Sequence, residues 1–60
     1  MKLTAAELAK WIDQSGHADH VKGCAHDAEA VVFLTNRIGE AGKTFEMADL
    51  IRCVETIRGK

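Results

Sequence analysis

Sixty residues carrying eight basic and nine acidic side chains leave room for one small domain, and they lack the positive footprint of a free-standing nucleic-acid binder or a polybasic membrane anchor. A chain this short buries only about 60 % of the surface its unfolded form exposes, so its core normally needs help from tight packing, a metal, disulfides or a partner chain. Hydrophobic residues make up 47 % of the sequence, which argues for folding rather than disorder.

The N-terminal segment opens with Thr4-Ala5-Ala6-Glu7, a capping-box pattern in which the threonine hydroxyl and the glutamate carboxylate satisfy each other's backbone amides. Leu8, Trp11 and Ile12 then share one side of a helix, with Glu7, Lys10, Asp13 and Gln14 turned to water. Ser15-Gly16 is a natural stop. The charges at Glu7, Lys10 and Asp13 rule against a signal peptide or a membrane span over this stretch, so a cytoplasmic location is expected. Under reducing conditions Cys24 and Cys53 are expected to be free thiols.

Between His17 and Ile38 two readings stand. A stripe of Val21, Cys24, Ala28, Val31 or Val32, Thr35 and Ile38 favours one long helix from about Ala18 to Ile38, despite the cost of about 1 kcal/mol that Gly23 imposes. Alternatively, residues 17–26 form a turn or loose helical segment and Asp27 caps a shorter helix. Val31-Val32-Phe33-Leu34 is the only run of four large apolar residues. Its β-branched content admits a strand, but the flanks lack the alternation of a half-buried strand, and helix is the preferred reading.

The glycines of Gly39 to Lys43 mark a loop, after which Thr44 offers an N-cap for a final helix. There Met47, Leu50, Ile51, Val54 and Ile57 form a stripe, while Arg52, Glu55 and Thr56 face away. The chain shows no internal repeat, linker or low-complexity tract. The expected fold is all-α: a single small domain spanning 1–60, a three-helix bundle with helices at about 4–15, 18–38 and 44–58, completed by oligomerisation.

The chemistry-bearing cluster is His17, His20, Cys24 and His26. Imidazole and thiolate are zinc ligands, and on a helix His17, His20 and Cys24 would share one face with Asp27 behind them. His26 would point away. Paired Cys-x-x-Cys spacing is absent, so the plainer reading is exposed histidines and a core thiol, and no cofactor is expected. The dipeptide His26-Asp27 is similar to the signature of HD phosphohydrolases over two residues only, and those enzymes need a larger helical scaffold. Three short helices offer no deep cleft for catalysis, so an enzyme is not expected.

A helix-turn-helix regulator is the alternative, with the last helix as its recognition element. Glu46, Asp49 and Glu55 stand beside Arg52 and Arg58 there, however, and would meet phosphates with as many acids as bases. The favoured expectation is therefore a non-enzymatic protein–protein interaction module that binds itself or a larger protein. Its homodimer interface would run through the central helix and draw on Val31, Phe33, Leu34, Ile38 and Trp11, with Phe33 and Leu34 directed outward.

Overall fold

Thr4 does what its place before an apolar-periodic run requires. Its hydroxyl accepts from the Glu7 amide at 3.2 Å, and the Glu7 carboxylate accepts from the Thr4 amide at 2.9 Å. The computed structural model describes residues 1–59, and there this box starts α1, Ala5–Gln14, immediately after a two-residue strand β1, Lys2–Leu3. Gly16 closes the helix with φ of +75°, a conformation that residues with a Cβ rarely adopt.

The expected long central helix is divided. A short α2, Ala18–Gly23, ends where Cys24 turns to extended backbone, and α3, Asp27–Glu40, begins after His26, which is also extended. Arg58 supplies the physical reason. Its guanidinium reaches from the end of the last helix and donates to the Val21 carbonyl at 2.8 Å and the Cys24 carbonyl at 2.6 Å, while its Nε donates to the Asp27 carboxylate at 2.6 Å. A continuous helix would use the Val21 carbonyl internally. Gly23 lowers the cost of breaking it, and Asp27 places a carboxylate on the first turn of α3, where the helix dipole favours one.

A second difference lies at Thr44. Instead of capping the last helix it belongs to a strand β2, Thr44–Phe45, whose Thr44 amide donates to the Met1 carbonyl at 3.0 Å. The following helix α4, Met47–Ile57, takes Glu46 as its N-cap without a side-chain cap bond. The Glu46 carboxylate pairs with the Lys2 ammonium across the strands.

β1 and β2 are parallel, with Lys2 opposite Thr44 and Leu3 opposite Phe45. Carried forward, that register reveals an internal repeat that the linear reading misses. Ala6 and Leu8 align with the identical Ala48 and Leu50, Glu7 with Asp49, Lys10 with Arg52, Ile12 with Val54, and Asp13 with Glu55. Burial follows the same pattern: Leu8 and Leu50 are buried, as are Ile12 and Val54, while Trp11 and Cys53 are both half-buried. Two strand–helix units, β1–α1 and β2–α4, therefore lie side by side, joined by the crossover through α2 and α3 that parallel strands require.

The architecture is an all-α domain of four helices with one minimal strand pair. α4 is its centre, packing on α1, α2 and α3. Leu3, Leu8, Ile12, Val21, Ala30, Leu34, Ile38, Leu50 and Val54 form the buried core, and among the described residues no polar or charged residue joins them. Leu34 and Ile38 have no exposed surface. The outward direction expected for Leu34 is thus overturned: starting α3 at Asp27 turns Ala30, Leu34 and Ile38 onto the core face. Val32, 59 % exposed, takes the outward position instead.

Candidate functional site

The junction between the two strand–helix units carries an open concavity. Ala5, Ala6 and Ala9 line its α1 wall, and Cys53, Thr56 and Ile57 line its α4 wall. Alanine is the reason a space exists at all: three methyl groups stand where larger side chains would close the gap between the helices. The groove has a volume of about 360 Å³ and a surface that is overwhelmingly apolar. Asp13, Asp49 and Arg52 supply its charged margin.

Cys53 sits at the α4 side of this groove, its thiol 3.9 Å from the Ala5 carbonyl. Burial pushes the thiol pKa up, and the Asp49 carboxylate adds to that, against a smaller opposing pull from Arg52. At neutral pH the sulfur is therefore a protonated thiol, a weak nucleophile, and its contribution to the groove is apolar surface.

A second constellation lies where α2 and α3 approach α1. The His20 ring stacks on Phe33 with centroids 3.9 Å apart, and His17 meets Phe33 edge-on at 5.3 Å while tilting against Trp11 at the same separation. The Arg37 guanidinium lies 5.2 Å from the Phe33 centroid, within the range of a cation–π contact. Phe33 is half-buried as a result. Its aromatic surface is covered from within the chain by two imidazoles.

This disposition separates the residues that the zinc alternative would have to bring together. His17 and His20 are turned onto Phe33, the Cys24 thiol donates to the His20 carbonyl at 3.3 Å, and the Asp27 carboxylate receives Arg58. His26 precedes α3 and is exposed. Among the described residues, no group of three or more histidine, cysteine, aspartate or glutamate side chains is placed to hold a metal ion. Both cysteines are free thiols.

Of the residues expected at an interface, Leu34 and Ile38 are in the core, while Val31, Phe33 and Trp11 are half-buried against it. The sequence marks Cys53 only as a reduced thiol, and Ala5, Ala6 and Ala9 as groove residues are not legible in it. The signal that finds them is the run of small residues on the outer side of α1, which becomes meaningful only once α4 is known to lie beside it. Nor did hydropathy separate Met47 and Ile51 from the core stripe. They are 46 % and 45 % exposed, one turn apart on α4.

Compared with protein-family models, curated proteins and solved structures, the chain matches none of them. Among the described residues, no helix is long and apolar enough to cross a membrane.

Proposed function

We propose that this chain is a non-enzymatic protein–protein interaction module, and that the groove between α1 and α4 receives an apolar side chain from a helix of a partner protein. The observation that carries this reading is an open apolar groove beside a core that is already closed. Among the described residues nine are buried without help from another chain and every buried side-chain polar atom has a partner, so the groove is not a packing deficit that folding must repair. A helix entering it would set one large apolar residue against the three alanines and Ile57, with polar neighbours meeting Asp13, Asp49 and Arg52 at the margin. Helix-in-groove recognition works through such anchors.

The reading differs from the sequence expectation in the surface it uses. Homodimerisation through the central helix would have to rely on Val32 rather than on Leu34 and Ile38, which the core already occupies. The DNA-binding alternative draws less support. Its candidate recognition helix is α4, which three other helices pack against and whose exposed charges are Glu55 beside Arg52, with the exposed Glu46 just before its first residue.

The test is differential capture. Wild-type protein, an Ala9→Phe variant that fills the groove, and an Ala25→Phe control that adds the same ring elsewhere are each immobilised and exposed to cell extract. Far-ultraviolet circular dichroism verifies that all three fold. A protein retained by wild type and control but lost with Ala9→Phe supports the groove. Equal retention by all three, retention by none, or recovery that requires nucleic acid would overturn the reading.

A further inference from the structure

The strand–helix repeat implies a vacant position. In the first junction, Ala5, Ala9 and Asp13 of α1 face Arg52 and Cys53 of α4, with Asp13 and Arg52 bringing opposite charges to one groove. The positions of α4 that correspond to Ala5, Ala9 and Asp13 are Met47, Ile51 and Glu55. Met47 and Ile51 are 46 % and 45 % exposed and Glu55 is exposed; Ala5, Ala9 and Asp13 are exposed as well, but they line a groove whose other wall is α4. The positions of α1 that correspond to Arg52 and Cys53 are Lys10 and Trp11, the first exposed and the second half-buried. The molecule thus ends on one side with the receiving half of a junction and on the other with the entering half.

The strands end in the same way. The sheet has two strands, so each has one edge that no other strand of the described chain pairs with. Because the Thr44 amide points to β1, the alternation of a parallel ladder turns the Phe45 backbone groups toward the other edge.

We propose that a second copy of this chain continues the repeat, laying its β1–α1 unit on the outer edge of β2 and on the Met47–Ile51 face of α4. Trp11 of the incoming copy covers Met47 and Ile51, and its Lys10 meets Glu55, repeating the Asp13–Arg52 arrangement of the internal groove with the acid again on the receiving helix and the base on the entering one. The contact is head-to-tail, each copy offering two different surfaces, so association proceeds by successive addition rather than stopping at a two-fold dimer. This surface is separate from the proposed groove, and either can fail without the other.

Sedimentation across a concentration series up to millimolar tests the proposal. Wild type is expected to show a mass that rises with concentration beyond that of a dimer. Ile51→Glu blocks the receiving face and Lys10→Glu opposes Glu55 at the entering face. Each lies at an exposed position, so both variants are expected to fold, checked by circular dichroism, and each alone to remain a monomer. Mixed in equal amounts they retain one intact pair of surfaces and are expected to form a dimer that grows no further. A Val32→Glu variant is expected to associate like wild type. Monomeric wild type at all concentrations, a closed wild-type dimer, a mixture that stays monomeric, or loss of association with Val32→Glu would each overturn it.

Discussion

Single residues in this chain act through three different physical effects. Gly42 follows α3 with φ of +74°, and a Cβ built there would touch nothing within 4 Å. The cost of Gly42→Ala is therefore conformational, about 1 kcal/mol, and is expected as a lower denaturant midpoint with an unchanged slope. Leu34, by contrast, is held by packing. Leu34→Ala removes atoms from a fully buried position at a cost of about 2–5 kcal/mol, comparable with what a core of this size supplies, so thermal unfolding is expected to lose its cooperative transition at room temperature and above. Glu7 acts through charge. Its bonds to the Thr4 amide and hydroxyl hold its carboxyl below the usual range. A lowered folded pKa stabilises the chain above the unfolded value of about 4.3, and that stabilisation is lost as pH falls through the folded value. Acid titration of Glu7→Gln is expected to show a shallower loss of stability across that interval than wild type. Glu46, lowered chiefly by its bond to Lys2, contributes in the same direction.

At the scale of elements, the most consequential contact is the reach of Arg58 to the α2–α3 turn. Three acceptors converge on one guanidinium whose side chain is largely shielded, and hydrogen bonds to charged groups are worth more than neutral ones. Arg58→Met is expected to cost about 2 kcal/mol and to accelerate amide exchange in α2 and the first turn of α3 before the rest of the chain. Arg58→Lys recovers only part, since an ammonium lacks the planar fork that serves several acceptors at once. This contact also explains why periodicity misled. The stripe from Val21 to Ile38 is continuous enough for one helix, and residues near in sequence contain nothing stronger than Gly23 to interrupt it. The decisive partner comes from the other end of the chain. Thr44 carries the same lesson: a good N-cap by type, it is claimed by the strand pair because Met1 presents its carbonyl there. Thr4 has no such competitor and caps α1 as its residue type predicts, so Thr4→Ala is expected to lower stability by about 1 kcal/mol, measured by chemical denaturation.

For the whole molecule, the organising fact is the pairing of two strand–helix units around a central α4. The all-α class and the approximate positions of the first and last helices were legible from the sequence, because they depend on local propensity and apolar periodicity; Gly39 and Glu40, expected to open the loop, instead extend α3. The choice between one long central helix and a loose segment over 17–26 followed by a shorter helix stays open in the sequence, and the burial of Leu34 in place of Val32 was not legible. The repeat was present in the residues from Lys2 to Asp13 and Thr44 to Glu55, but conservative exchanges such as Lys10 with Arg52 and Ile12 with Val54 hide it until the strand register aligns them. The groove belongs to the same category. Local sequence determined that α1 would carry alanines on one side and that α4 would be amphipathic. Only the tertiary structure decided that those sides adjoin and leave a gap between them, because which helix lies beside which is set by strand pairing and by the contacts of Arg58, both of which join residues far apart in the chain.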